Sequence, residues 1–216
     1  MGTHVIYVFT HDSIGLGEDG PTYQPIGHLT SLRAMPHINV IRPADANETA
    51  EAWKVALKDA SRPHALILSR QNLPVIDRKK HASAEGLAKG GYILSDSKGT
   101  PDIILLSSGA EVHLVLAAAE ILRKSGTKVR VVNMACFEIF DSQPAAYKNK
   151  VLPPAVEKRI AVEAGSTLGW YKYVGLKGDV IGIDRFGASA PAKVLFEKFG
   201  LSVDNIVNRS KALLKK

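Results

Sequence analysis

Short apolar runs of strand length alternate along this chain with longer amphipathic or polar stretches. HVIYVF (residues 4–9) comes first: β-branched and aromatic, long enough for a buried strand and too short for a helix. INVIRP (38–43), ended by Pro43, and HALILS (64–69) repeat the signal. A short helix is predicted over 26–35. A longer one runs from Asp45 to about Ala60, with Ala52, Val55 and Ala56 at helical spacing, Trp53 covering one flank and Glu48 completing a capping-box pattern with Asp45. Strand, helix and strand in succession predict parallel pairing through crossover helices.

Residues 76–90 have few apolar positions and read as a linker, after which the alternation restarts. YILS (92–95) and DIILLSS (102–108) are strand-like, and the DSKGT turn between them suits an antiparallel hairpin. Residues 110–126 carry the clearest helical pattern: Val112, Val115, Leu116, Ala119 and Leu122 share a face, and Gly126 stops it. KVRVVNM (128–134), RIAVEAG (159–165) and DVIGIDRFG (179–187) add strands. Two last helices are predicted, at 190–199 closed by Gly200 and at 203–214 capped near Ser202. The class is α/β, in two units of 1–75 and 91–216.

Composition narrows the function classes. Of the 216 residues, 45% are hydrophobic and 23% charged, as in a globular chain and unlike a disordered one. The single cysteine, Cys136, has no internal disulfide partner, and no Cys/His cluster offers a zinc site, so a reducing, cytoplasmic setting is expected. No apolar run approaches the roughly 18–20 residues of a membrane helix. The start of the chain lacks the basic flank and cleavage site of a signal peptide, and Ile6 stands where the myristoylation pattern wants Ser or Thr. The net charge is +7, divided as −1 over residues 1–75 and +8 beyond. Apart from Arg78-Lys79-Lys80 and Lys215-Lys216 the basic residues are scattered and not interleaved with aromatics, so no specific nucleic-acid partner is expected.

Candidate chemistry concentrates in THDSIGLGEDGPTYQP (10–25), a glycine- and proline-rich stretch too long to be an ordinary connection. It places His11, Asp12, Glu18 and Asp19 directly after a strand, at the end where open α/β sheets bind ligands. Ser69-Arg70-Gln71-Asn72 follows the third strand and is expected at the same edge, with Arg70 suited to bidentate binding of phosphate or carboxylate. The purely structural alternative has Asp12 and Asp19 capping turns and Arg70 paired with one of them. Elsewhere, His113 reads as a half-buried packing residue and Cys136 as an inert thiol. His28, His37, His64 and His81 share no metal-binding spacing. Ser107-Ser108-Gly109 fits a capping turn, or an anion site at a helix start.

THDSIGLGEDGPTYQP, with SLRAMP, RPAD, ALILSRQNLP, AVEAG, GWYKYVG and FGASAP, resembles transketolase along the whole chain, over the last third of that enzyme. The resemblance implies the end of a pyrimidine-binding domain, a remnant of a parallel sheet, in residues 1–75. It implies a complete C-terminal domain with a mostly parallel sheet in 91–216. It implies that His11 and Arg70 bind the substrate phosphate, and that Asp19 contacts the hydroxyl beside the carbonyl of the donor ketose. Where the family reads GPTHQP this chain has Tyr23, a poor proton acceptor near neutral pH, and Gly27 replaces the Glu of PIE. No catalytic residue is therefore assigned. Glu18-Asp19-Gly20 with Asn47 superficially resembles the metal–diphosphate motif of thiamine enzymes, but it lacks the first Gly and is read as coincidental.

For the intact family the resemblance implies a cytoplasmic homodimer. It uses thiamine diphosphate and magnesium or calcium to move a two-carbon ketol unit from ketose to aldose phosphate in the pentose phosphate pathway. The diphosphate and metal ligands, the activating Glu and the stacking aromatics fall in parts of the family sequence that precede these motifs. This chain alone is therefore expected to bind no cofactor, to be inactive, and to leave an open sheet edge on its first unit. The alternative is a non-catalytic C-terminal subunit of a split transketolase-like enzyme, completed by a separate N-terminal chain.

Overall fold

The computed structural model describes residues 3–215; Met1, Gly2 and Lys216, on which the N-terminal pattern and the basic C-terminal pair partly fall, lie outside them. Strands β1 (Ile6–Phe9), β2 (Asn39–Ile41) and β3 (His64–Ile67) form a parallel sheet in the order β1-β3-β2. Alternating side chains cover both faces. Ile41 and Leu66 meet Ala52 and Ala56 of helix α2 (Ala46–Lys58), whereas Val40, Ala65 and Ile67 meet Leu29 of helix α1 (His28–Arg33). The Asp45 carboxylate caps α2 by accepting from the Glu48 N–H (2.8 Å). Glu48 reaches back one residue further than a capping box requires, to the Ala44 N–H (2.8 Å). β1 is not the buried strand that its composition suggests. Only β3 pairs with it among the described residues, and Tyr7, Val8 and Phe9 are each about 45% exposed, with the Tyr7 and Phe9 rings stacked at 5.9 Å.

The second sheet has five strands, β4 (Tyr92–Ser95), β5 (Ile103–Ser107), β6 (Val129–Asn133), β7 (Arg159–Val162) and β8 (Asp179–Ile181), in the order β4-β6-β5-β7-β8. All pairs are parallel except β4 with β6. The predicted β4–β5 hairpin does not form, because β6 lies between the two. The run IILLS is apolar at four consecutive positions, which suits a central strand covered on both faces. Ile103 and Leu105 face a core built with helix α3 (Val112–Lys124) and helix α8 (Val203–Leu214). Ile104 and Leu106 face Phe137, Phe140 and Trp170 from α4 (Phe137–Asp141) and the turn before α6 (Tyr171–Val174); α5 (Ala145–Val151) closes that side. Helices α4 to α6, of five, seven and four residues, are absent from the sequence reading. Helix α7 (Ala192–Lys198) and α8 follow the prediction, with Gly200 at φ +77° ending the first and Ser202 capping the second.

The segment 76–90 is packed rather than loose. Ile76, Ala84 and Leu87 are buried, and Arg78 donates twice to Asp45 (3.0 Å each) and to the Tyr92 hydroxyl (3.1 Å). Glu48, buried at the start of α2, accepts from Asn133 of β6 (2.7 and 2.8 Å) and from Tyr92. Burial pushes the Glu48 carboxyl and the Tyr92 phenol above their ordinary values. Backbone bonds also cross between the sheets: Arg42 N–H to the Ala135 carbonyl (2.8 Å) and Gly109 N–H to the Arg42 carbonyl (3.1 Å). Among the described residues, no helix is long and apolar enough to cross a membrane.

Candidate functional site

The first loop is compact. It contains two single turns of 3₁₀-helix, Ile14–Leu16 and Pro21–Tyr23, where glycine and proline content predicted no regular structure. Parallel register sets its neighbourhood. Phe9 lies opposite Ile67, and the Leu68 N–H donates to the Phe9 carbonyl (2.7 Å), so Thr10-His11 and Ser69-Arg70 leave the sheet side by side. Gly15 runs so close beneath Gln71 that a Cβ there would lie 2.4 Å from the Gln71 Oε1. The two loops thus share one edge, as the sequence predicts.

His11, Asp19 and Arg70 are all exposed there. His11 adopts φ +67°, unusual outside glycine, and its Nδ1 lies 2.8 Å from the Thr10 hydroxyl oxygen. Asp19 and Arg70 make no ion pair among the described residues. His11 and Tyr23 line an apolar-sided cleft of about 680 Å³ with Phe9, His28, Met35 and Phe186; Asp19 and Arg70 are not in its walls. Tyr23 is 70% exposed, so its phenol is presented to solvent and to any ligand. A free guanidinium and an imidazole at one sheet edge suit a terminal phosphate, and a free carboxylate suits a hydroxyl donor.

The structural alternative for the acidic residues does not occur. Asp12 pairs with Arg42, not Arg70: its Oδ2 accepts from Arg42 Nε (3.0 Å) and Nη2 (2.6 Å). Arg42 is fully buried, and its Nη1 donates to the Ser108 carbonyl (2.9 Å) and to Glu111. Glu163 takes two bonds from Arg33 (2.7 and 2.9 Å), one from the Ser108 hydroxyl (2.5 Å) and one from Trp170 Nε1 (2.8 Å). Ser108 stands at the N-cap position of a 3₁₀ turn, Gly109–Glu111, as the capping-turn reading has it, but its hydroxyl makes no capping bond and serves this cluster instead. Gly109, at φ +58°, makes room for it, since a Cβ would sit 2.6 Å from Arg42 Nε.

Three carboxylates here face two guanidiniums, and the imbalance separates their behaviour. Burial pushes the Glu111 carboxyl up and Arg42 restores only part, while the Glu111 Oε1 has no hydrogen-bond partner. Burial acts on Glu163 in the same sense but is outweighed by Arg33, Arg42 and Ser108, which bring that carboxyl down to about 2. Arg42 is held above its ordinary value by Glu111, Asp12 and Glu163 despite burial. The sequence reading did not single out Arg33, Arg42, Glu111 or Glu163. A signal existed for two of them: Arg42 directly follows the apolar pair Val40-Ile41 and Glu163 the apolar run Ile160-Ala161-Val162, where an unpaired charge would be costly. His113 and Cys136 are as expected, His113 Nε2 lying 2.9 Å from the Ala44 carbonyl and the thiol fully buried.

Residues 1–75 match the family model described as "Transketolase, pyrimidine binding domain", and residues 90–202 the "Transketolase-like TK C-terminal domain". The chain is 54% identical to the transketolase of Bacillus subtilis over 217 aligned residues, covering 100% of this chain and 32% of that one. The structure of transketolase from Leishmania mexicana superposes with a TM-score of 0.92 at 45% identity, over 99% of this chain and 31% of that one. A structure titled "Split gene transketolase, inactive beta4 tetramer" shares the fold at a TM-score of 0.74 and 21% identity, over 98% of this chain and 67% of that one. The chain therefore spans about a third of the length of the curated relatives it matches.

Proposed function

Because this chain belongs to the transketolase family, we propose that it supplies the sugar-phosphate-gripping part of a two-carbon ketol transfer from ketose phosphate to aldose phosphate. Residues 1–75 contribute the end of the pyrimidine-binding domain, 76–90 the connection and 91–216 the C-terminal domain. His11 and Arg70 hold the terminal phosphate of the sugar, Asp19 accepts a hydrogen bond from the hydroxyl beside the carbonyl, and Tyr23 stands where the family carries a histidine. The observation that supports this is the shared edge: the β1–β3 register brings both loops out side by side with their charged groups unpaired.

Thiamine diphosphate, the cofactor of the family, supplies the electron sink for such a transfer. The described residues do not fit it by themselves, since no three His, Cys, Asp or Glu side chains converge among them to hold a metal ion. The transfer itself accordingly rests on groups other than those described. On this reading the chain alone binds ketose phosphate without turning it over, and the complete enzyme is a homodimer.

Calorimetric titration with fructose 6-phosphate, with fructose as control, tests the reading. Binding that needs the phosphate and disappears in Arg70→Ala is the expected result; equal affinity for the two sugars, or an unaffected R70A variant, refutes it. A second reading is a C-terminal subunit that completes a split enzyme, and the open edge of β1 favours it. Ketol transfer that appears only on mixing with a separate thiamine-binding chain selects this second reading.

A further inference from the structure

Each ligand-facing residue of the first loop has a chain neighbour tied to the second unit: Asp12 and Gln24 are buried, whereas Glu18 is exposed and contributes only its backbone carbonyl. Exposed His11 precedes Asp12, which Arg42 clamps against Ser108 and Glu111. Exposed Asp19 follows Glu18, whose carbonyl accepts from the Ser189 hydroxyl (2.8 Å). Exposed Tyr23 precedes Gln24, and the Gln24 amide makes a two-way bridge: Nε2 donates to the Ala188 carbonyl (2.7 Å) and Oε1 accepts from the Ala188 N–H (3.0 Å). Between these anchors Ile14 is fully buried in the core of the second sheet. Gly187 makes the Gln24 bridge possible, because a Cβ on it would lie 1.9 Å from Gln24 Oε1.

The second unit also lacks room for a ligand of its own at the customary place. Open α/β sheets take ligands outside the carboxyl ends of their strands, at the point where chain order reverses. Here β6 and β7 lie on opposite sides of β5, and the carboxyl end of β5 is filled by the Arg42 guanidinium lying over Gly109. The place is occupied by a side chain of the first unit.

We propose that Asp12 and Gln24 are positioning residues through which the second unit acts as a template for the first loop, fixing where His11 and Tyr23 project toward the sugar phosphate. The proposal rests on the sugar-phosphate reading above and adds a task for the second unit.

Two variants test it from opposite sides of the bridge. Gln24→Ala removes the amide, and Gly187→Ala displaces it from the second unit without altering any loop residue. Amide hydrogen exchange of the full chain reads the loop locally, and titration with fructose 6-phosphate reads the ligand. In both variants the amides of residues 15–24 should exchange at least about tenfold faster while those of β5 and β7 stay protected. Affinity should fall about tenfold, from misplacement and not from loss of Arg70. Unchanged loop exchange in both variants overturns the proposal, as does faster exchange with wild-type affinity. If the unaltered chain binds no fructose 6-phosphate while both variants still release the loop, the sugar-phosphate reading fails and the anchoring by the second unit stands.

Discussion

Replacing Glu163 and Glu111 separately by glutamine should have very different consequences, although both carboxylates are fully buried and both face Arg42. Glu163 accepts from donors on both oxygens: Arg33 Nη1 and Trp170 Nε1 on Oε2, Arg33 Nη2 and Ser108 Oγ on Oε1. Whichever way a glutamine is turned, its amide N–H₂ meets two donors and leaves Arg33 without a counter-charge. Breaking one side of a buried pair costs about 3–5 kcal/mol. The downward displacement of this carboxyl, from 4.5 to about 2, corresponds independently to on the order of 3 kcal/mol. Glu111 has donors on one oxygen only, Arg42 and the Ala164 N–H (3.1 Å), and none on Oε1. A glutamine there keeps its carbonyl on the donors, puts the amide where nothing is bound, and removes the surplus negative charge, so its cost stays within about 1 kcal/mol. Urea unfolding followed by the fluorescence of Trp53 and Trp170 together measures both. A midpoint for Glu163→Gln well below wild type is expected, equivalent to roughly 10 °C in melting temperature, with Glu111→Gln close to wild type. The pH dependence has a definite sign: because the folded-state value of Glu163 is depressed, its contribution is complete above about 4.5 and is lost as pH falls toward 2, so the gap between wild type and Glu163→Gln narrows over that window. Equal destabilisation by the two substitutions, or a gap that widens on acidification, refutes the reasoning.

Other expectations follow from single contacts. Gly109→Ala forces a Cβ within 2.8 Å of three Arg42 side-chain atoms at φ +58°, and should lower stability by about 2–3 kcal/mol in the same urea assay. Cys136 should resist a thiol reagent at pH 8 in the folded chain and react with one equivalent in urea. Burial, with the Glu138 carboxylate next, pushes its thiol well above the ordinary value, and rapid labelling of the native protein would contradict that.

What could be read from the sequence and what could not divide along physical lines. The helix 112–124 carries a period that only one local structure satisfies, and IILLS is an apolar run of strand length; both form where predicted. The shared edge of the two loops was readable because parallel strands joined by crossovers must emerge at the same end. Partner choice was not. The DSKGT turn fits a hairpin locally, but β6 inserts between β4 and β5, a pairing set by the whole sheet and not by the turn. The charged cluster was hidden for the same reason: Arg42 and Asp12 are 30 residues apart and Ser108 and Glu163 are 55 apart, with no spacing rule linking them. Residues 76–90 look like a free linker by composition, yet Ile76, Ala84 and Leu87 suffice to pack them.

The buried ionic cluster is an expensive way to join two sheets, and its geometry suggests why an apolar contact would not serve as well. Well-packed hydrophobic residues of similar volume often equal or exceed a buried ion pair in stability. They are, however, non-directional, and two sheets joined only by apolar surface can slide or rotate by an ångström at little cost. Arg42 removes that freedom: its backbone carbonyl accepts from Gly109 of the second unit while its guanidinium holds Asp12 of the first, Ser108 and Glu111. A rotation of one sheet against the other must lengthen several of these bonds together. Asp12 adjoins His11, so the orientation of the sheets is passed directly to that exposed side chain, and on the function proposed above an error of about 1 Å at such a group is enough to weaken binding. On this argument the cluster fixes register more than it adds stability, which is consistent with its carrying one more carboxylate than the guanidiniums neutralise.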